Sequence, residues 1–186
     1  MSKLTKASLK RAFTWFESGP VILVASNDGS MDNVMTISWH MVMDFSPHIA
    51  ITTGSWNESY ETIIRAKEAV LCVPDASMID TVIKIGTVHG SEADKFEEYG
   101  LSRQKASKVK APLITDCTAC LECKLEGHIE EYGILIFKGV QLWEGKDPAP
   151  KLIHANGDGT FFEDGKLMNK REMMRQWVPE GCERLL

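Results

Sequence analysis

The 186-residue sequence lacks the features that mark membrane, secreted and nucleic-acid-binding proteins. No segment approaches the roughly 18 apolar residues of a transmembrane helix, and the amino-terminal region has no apolar run that could form the core of a signal peptide. The net charge is -5, and the basic stretch 103–110 contains no aromatic residues. Because nucleic acids and acidic membranes bind clustered positive charge, we expect neither as a partner.

Several cofactor and catalytic motifs are also absent. The sequence contains neither GxGxxG nor a Walker pattern, which argues against a Rossmann dinucleotide domain, and it contains no HExxH zinc motif. A serine nucleophile elbow is likewise missing. The five cysteines are an odd number in a chain without an export signal. This predicts reduced thiols and a cytoplasmic location.

The remaining composition is that of an ordinary globular protein, with 44% hydrophobic and 25% charged residues. No linker divides the chain, so we expect a single domain over residues 1–186. Helical spacing or caps predict helices at 9–16, from about Ser59, and at 78–85. Short apolar runs between turn signals predict strands at 20–26, 33–39, 49–53, 69–74, 120–128 and 134–143. The turn-rich tail after Pro150 predicts irregular strands that fold back on a mainly β (α+β) barrel.

The segment NVMTISWH at 33–40 combines polar and apolar residues in one predicted strand. Buried Asn33, Thr36, Ser38 and His40 would need hydrogen-bond partners, which the edge of a planar heterocycle could supply. Strand alternation places Asn33 and Trp39 on one face and the other three residues on the opposite face. One flat site could then not use all five without a bulge, and a simple half-exposed strand is the alternative interpretation.

Two further segments could bind an anion. In WNESYET at 56–62, Ser59 is placed to cap a helix whose first amides could bind a phosphate, although an ordinary N-cap would give the same pattern. In Asp94-Lys95-Phe96, the lysine could complement a phosphate or could simply be solvated.

In this order and spacing, the segments resemble the flavin reductase-like FMN-binding split-barrel family, and are especially similar to its flavoredoxin branch. The likeness covers roughly residues 15–145. The matching segments are GPVILVAS at 19–26, NVMTISWHMVMDFSP at 33–47, SYETI at 59–63, AVLCVP at 69–74, DKFEEYGL at 94–101, APLITDCTACLEC at 111–123 and IFKGV at 136–140.

The resemblance implies a homodimer in which each barrel binds one FMN noncovalently near the subunit interface. It assigns no catalytic residue. The cofactor-binding residues that it implies are Asn33, Thr36 and Trp39 along the ring system, Ser59, Tyr60 and Lys95 near the phosphate and ribityl chain, and Phe161 or Phe162 closing the site from the tail. Relatives often have His where this chain has Ile134, so a donor at the ring edge is either missing or supplied by His128.

The series Cys117-x-x-Cys120-x-x-Cys123 is an alternative redox signal, because its spacing resembles part of an iron–sulfur ligand set. A cluster would need a fourth ligand, such as Cys72 or Cys182. However, Cys120 and Cys123 lie in a predicted strand, where a spacing of three sends side chains to opposite faces. We therefore expect buried, redox-idle thiols and no metal.

Two functions are compatible with a bound FMN. One is an electron-transfer protein of flavoredoxin type with a redox partner protein, which the strand NVMTISWH favours. The other is an NAD(P)H-dependent flavin or ferric-chelate reductase, with NAD(P)H as a transient donor. A flavin-binding module without turnover is a third class, but no output segment supports it.

Overall fold

The computed structural model describes residues 3–88, 94–147 and 150–183. The strands are β1 (Thr5–Ala7), β2 (Ile22–Asn27), β3 (Asp32–Ile37), β4 (His40–Val42), β5 (His48–Thr52), β6 (Glu68–Val73), β7 (Arg103–Gln104), β8 (Leu113–Ile114), β9 (Ala119–Ile129), β10 (Ile134–Glu144), β11 (Ile153–Ala155) and β12 (Phe161–Glu163). The α-helices are α1 (Glu58–Ala66), α2 (Ile79–Thr87), α3 (Lys95–Glu98) and α4 (Arg171–Met174). Short 3₁₀ helices span Leu9–Trp15, Ala76–Met78 and Glu130–Tyr132.

Eight strands form one curled antiparallel sheet in the order β3-β2-β6-β9-β10-β5-β4, with β1 paired to β10. The strand pairs β7–β8 and β11–β12 form separate two-stranded sheets. This mainly β architecture with a few short helices confirms the predicted fold class. None of the helices in the described parts of the chain has the length and apolar character needed to cross a bilayer.

Strand β6 lies between β2 and β9 in the interior of the sheet and is buried on both faces. Ala69, Leu71 and Val73 pack into the inner core of the half-barrel, whereas Val70 and Cys72 pack into an outer core beneath α2 and α3. A strand covered on both faces needs no polar alternation. This is why the segment AVLCV is a continuous apolar run.

The predicted strand 33–39 is wrong at its carboxyl end. Strand β3 stops at Ile37, and β4 begins at His40, so Ser38 and Trp39 form a two-residue connection between two strands. The helix predicted at 9–16 is a 3₁₀ helix over Leu9–Trp15 and not an α-helix.

The tail folds back on the barrel, as predicted. The amide of Val21 donates to the carbonyl of Ile153 at 2.7 Å, which joins β11 to the chain just before β2. Leu152 and Ile153 are buried in the inner and outer cores, respectively.

The basic stretch 103–110 is anchored by a buried carboxylate. Glu122 of β9 is fully buried and accepts hydrogen bonds from the amides of Ser107, Lys108 and Val109. It also accepts one from the Trp143 indole at 2.6 Å. Charge-assisted hydrogen bonds of this kind are stronger than neutral ones, so this part of the stretch is a fixed loop.

Candidate functional site

A narrow polar cleft of about 80 Å³ lies between β3, the first turn of α1 and the end of α2. Four of the residues predicted to bind a cofactor line it: Asn33, Thr36, Ser59 and Lys95. They come from three elements of the chain: β3, α1 and α3. The structure therefore brings together half of the predicted site.

Lys95 brings a positive charge to this cleft, and only 5% of its surface is exposed. Its ammonium nitrogen donates to the carbonyl of Val34 at 3.2 Å and to that of Ile85 at 3.0 Å. Burying an ammonium group is costly unless hydrogen bonds compensate for the lost hydration. These contacts therefore fix the positive charge at the cleft instead of leaving it to solvent.

Arg103 holds the helix that carries Lys95. Its guanidinium group forms ion pairs with Asp94 at 3.0 Å, with Glu97 at 2.7 Å and with Asp32 of β3 at 3.3 Å. It also lies 4.3 Å from the ring centroid of Phe96. Arg103 thus fastens α3 to β3, which keeps Lys95 at the wall of the cleft.

The first turn of α1 forms the opposite wall. The N-cap is Asn57, whose side chain donates to the Thr53 hydroxyl at 3.1 Å and does not cap the helix amides. Ser59 is the second helical residue, so the prediction that it is the capping residue is wrong. Its hydroxyl instead accepts a hydrogen bond from the Asn33 side chain at 3.2 Å.

Thr36 faces α2, which approaches closely at Gly86. The Thr36 hydroxyl donates to the carbonyl of Val82 at 2.7 Å. A Cβ atom on Gly86 would lie 3.2 Å from the Cβ of Thr36, closer than most side chains tolerate. The glycine therefore permits the helix to pack against β3 at the cleft.

These contacts correct two sequence-based arguments. Asn33 and Thr36 find hydrogen-bond partners within the protein, so their presence does not by itself require a ligand. Both residues also line the same cleft, whereas strict alternation assigned them to opposite faces. The nearby helices α1 and α2 approach β3 from both sides, which the period of the strand alone cannot reveal.

Trp39 lies outside the cleft, at a wider depression of about 260 Å³ that also includes Thr52 and Ile134. The indole is 68% exposed. Because Trp39 follows Thr36 by three residues, the two lie within roughly 11 Å of each other. One elongated ligand could therefore contact both the cleft and this depression.

His40 lines the same depression. Its Nε2 contacts the carbonyl of Pro20 at 2.6 Å, whereas the buried Nδ1 has no partner among the described residues. Burial lowers the pKa of His40 and favours the neutral ring. With Nε2 donating to Pro20, Nδ1 is an unpaired acceptor beside the depression.

Tyr60 and His128 form a separate pair. The buried Tyr60 contacts the Nε2 of His128 through its hydroxyl at 2.9 Å. In the β9–β10 register, His128 pairs with Leu135, whereas Ile134 pairs with Ile129. His128 therefore lies on the opposite sheet face from Ile134 and cannot replace a side chain there.

Phe161 and Phe162 lie on β12, in the hairpin formed with β11. The ring of Phe162 stacks on His154, with centroids 5.0 Å apart, and His154 contacts Asp164 at 2.8 Å. Neither phenylalanine is among the described residues that line the cleft or the depression.

An exposed apolar stripe beside the depression was not predicted. It consists of four residues at alternate positions, with exposed fractions of 68%, 56%, 45% and 56%: Trp39, Met41, Met43 and Phe45. The alternation was visible in WHMVMDF, but without the strand boundaries its solvent-facing side could not be assigned. Contiguous apolar patches on a protein surface commonly mark interaction sites.

All five cysteines are free thiols. Cys117 and Cys120 pack in the outer core and Cys123 in the inner core, so the argument that β9 separates them is confirmed. The described residues contain no group of three or more His, Cys, Asp or Glu side chains arranged to hold a metal ion.

The curled antiparallel sheet with helices around one polar cleft defines a split β-barrel. Residues 16–161, most of the chain, match the flavin reductase-like domain. The chain therefore belongs to the flavin reductase-like family, which confirms the resemblance found in its sequence.

Three similar proteins illustrate the relationship. An uncharacterized protein of Archaeoglobus fulgidus is 30% identical over 135 residues, which are 72% of this chain and 70% of that protein. A crystal structure of an FMN-binding domain of a flavin reductase-like enzyme from Shewanella baltica has a TM-score of 0.84 at 22% identity, covering 90% of this chain and 97% of that one. Flavoredoxin of Desulfovibrio vulgaris has a TM-score of 0.75 at 21% identity, covering 82% and 90%, respectively.

Proposed function

We propose that this protein binds one FMN noncovalently and passes electrons through it, as a cytosolic redox protein of flavoredoxin type. One observation carries the proposal: the buried ammonium of Lys95 and the first turn of α1 meet in one small polar cleft. Thr36, which also lines this cleft, precedes the exposed Trp39 by three residues. Membership of the flavin reductase-like family supports the same ligand.

The cleft fits the phosphate end of such a ligand. Its volume of about 80 Å³ is far below the roughly 300–1,000 Å³ of a pocket that encloses a whole small molecule, so it suits one polar end. A helix start and a lysine offer a dianion both hydrogen-bond donors and positive charge. The exposed Glu58 at the rim is the acidic side chain that opposes them.

The depression beside Trp39 fits the ring end. It is wider than the cleft, and an indole can stack on a flat heterocycle for about 0.5–1.5 kcal/mol beyond area burial. When bound, FMN would supply a ring system that accepts and donates electrons. The protein residues would hold and orient it: Lys95 and Ser59 at the phosphate, Asn33 and Thr36 between the two ends, and Trp39 at the ring.

A homodimer is part of this proposal. A standard protein interface buries about 800 Å² on each partner, and exposed apolar side chains close together on a surface commonly mark such interfaces. Met41, Met43 and Phe45 of the apolar stripe form the face that we expect a second copy to cover.

The reductase remains the second candidate, and the open depression favours it. Because Trp39 is exposed, a nicotinamide could approach a ring bound there. Rapid anaerobic mixing of the FMN-loaded protein with NADH or NADPH separates the two functions. The electron-transfer function predicts slow reduction by both nucleotides and faster reduction by a protein donor such as a ferredoxin. Saturable reduction by one nucleotide at about 10 per second, an ordinary turnover rate, would favour the reductase.

A further inference from the structure

Three cysteine thiols meet in the outer core, and none of them is among the described residues that line the cleft. Cys72 lies on β6, Cys120 on β9, and Cys117 in the turn between β8 and β9. The sulfur of Cys120 donates to that of Cys72 at 3.2 Å and also lies 3.5 Å from the carbonyl of Ile114. The proposed electron transfer through FMN uses none of these groups.

The strand register places Cys72 directly opposite Cys120. Lys67 and Leu125 lie opposite each other next to the start of β6, in the same register. The amide of Leu125 donates to the carbonyl of Lys67 at 2.9 Å, so Lys67 and Leu125 are a hydrogen-bonded pair. Because hydrogen-bonded and non-hydrogen-bonded pairs alternate along antiparallel strands, Cys72 and Cys120 form a non-hydrogen-bonded pair. Such pairs have Cα atoms about 4.5 Å apart, within the roughly 4.4–6.8 Å that a disulfide spans.

The environment of Cys72 favours its thiolate, the reactive form of cysteine. Burial opposes ionisation of Cys72, whereas the hydrogen bonds that it accepts from the thiols of Cys117 and Cys120 lower its pKa. The same burial raises the pKa of both neighbours. Because Cys72 accepts the hydrogen bond of the Cys120 thiol, we assign Cys72 as the nucleophile and Cys120 as the thiol that attacks second.

We propose that Cys72 and Cys120 are a redox-active pair that closes to a cross-strand disulfide when it reacts with hydrogen peroxide. The Cys72 thiolate attacks one peroxide oxygen, the O–O bond breaks, and the product is a Cys72 sulfenic acid and hydroxide, which takes a proton to become water. The Cys120 sulfur, deprotonated as it attacks, then displaces hydroxide from Cys72. Overall, two thiols and one hydrogen peroxide give one disulfide and two waters.

Access to this pair is restricted to small oxidants. Cys72 and Cys120 are fully buried, and Cys117, in the turn between β8 and β9, is 3% exposed. Hydrogen peroxide is close to water in size, whereas a bulky disulfide reagent would first require the surrounding core to open. The bond would join β6 and β9, which are adjacent central strands of the sheet.

The test is peptide mapping of the purified, reduced protein after treatment with hydrogen peroxide and alkylation of the remaining thiols. We expect two of the five thiols to disappear and one Cys72–Cys120 linked peptide to form. Thiols that remain free, oxidation to sulfinic or sulfonic acid without a linked peptide, or a disulfide containing Cys117 would each overturn the proposal.

Variants assign the roles of the individual thiols. Cys72→Ala and Cys120→Ala should each abolish the linked peptide, whereas Cys117→Ala should retain it. Cys123→Ala is the matched control, because Cys123 lies on the same strand as Cys120 but faces the inner core. Loss of the linked peptide in a folded Cys123→Ala protein would contradict the assignment. If a variant does not fold, mapping of the unmodified protein decides alone.

Discussion

Asn33 of β3 donates a hydrogen bond to the hydroxyl of Ser59 in α1 at 3.2 Å, and this contact joins the strand wall of the cleft to its helix wall. On the other side of β3, Lys95 donates to the carbonyl of Val34. Adjacent residues of one strand therefore organise both the helix start and the buried cation. The cleft is a property of β3 and the elements packed against it.

Replacing Lys95 should weaken FMN much more than riboflavin, because riboflavin has no phosphate. We expect Lys95→Met to cost about 1.5–3 kcal/mol of FMN binding, roughly 10- to 150-fold in Kd, with a difference that shrinks as salt increases. Fluorescence titration with both flavins measures this. Lys105→Ala, which removes an exposed lysine elsewhere, is the control. Equal losses for the two flavins would show that Lys95 does not serve a phosphate.

Replacing Trp39 should affect the flavin and not the fold. Since the indole is 68% exposed, Trp39→Ala should leave the free energy of unfolding nearly unchanged, while it weakens FMN and riboflavin alike and shifts the flavin absorption spectrum. Trp177→Ala is the matched control, because Trp177 is 69% exposed in the tail. A Trp39→Ala protein with the original spectrum and affinities would show that the flavin ring does not contact Trp39.

His48 should make stability depend on pH. Its Nδ1 contacts Asp44 at 2.6 Å and its Nε2 contacts Glu126 at 3.1 Å, and the hydrogen bond to Asp44 raises the pKa of His48 above 6.5. A raised pKa stabilises the folded state fully below the unfolded value near 6.5, and this contribution is lost as pH rises through the folded pKa. Urea denaturation of the original protein and His48→Gln should therefore differ at pH 5.5 and converge at pH 9. A difference that grows with pH would contradict this account.

The apolar stripe should control the oligomeric state. Sedimentation of the original protein should give the mass of a dimer, and Met41→Asp should shift it toward the monomer because a carboxylate would be buried in the interface. Met168→Asp is the control, since Met168 is 77% exposed in the tail. If the original protein is a monomer, or if the Met41→Asp protein stays dimeric, the apolar stripe is not a dimer interface.

The fold was largely predictable because its strands are short apolar runs between clear turns. The runs at 69–74 and 134–143 correspond closely to β6 and β10. The end of β3 was not predictable, because Ser38 and Trp39 continue the pattern of the strand although the chain leaves it after Ile37.

The residues that line the cleft were predictable in part, whereas their contacts were not. The order of the segments selected Asn33, Ser59 and Lys95, but the burial of Lys95 depends on two distant carbonyls that no local pattern encodes. The position of His128 depends on the β9–β10 register in the same way. Long-range packing therefore determines both the burial of Lys95 and the position of His128.

The central claim is tested most directly by the flavin content of the purified protein. Acid denaturation followed by chromatography should release FMN and not FAD, and a titration of the flavin-free protein should saturate at one FMN per chain. No flavin should remain attached to the polypeptide, because the binding is proposed to be noncovalent. A colourless protein that also fails to bind added FMN would contradict the account.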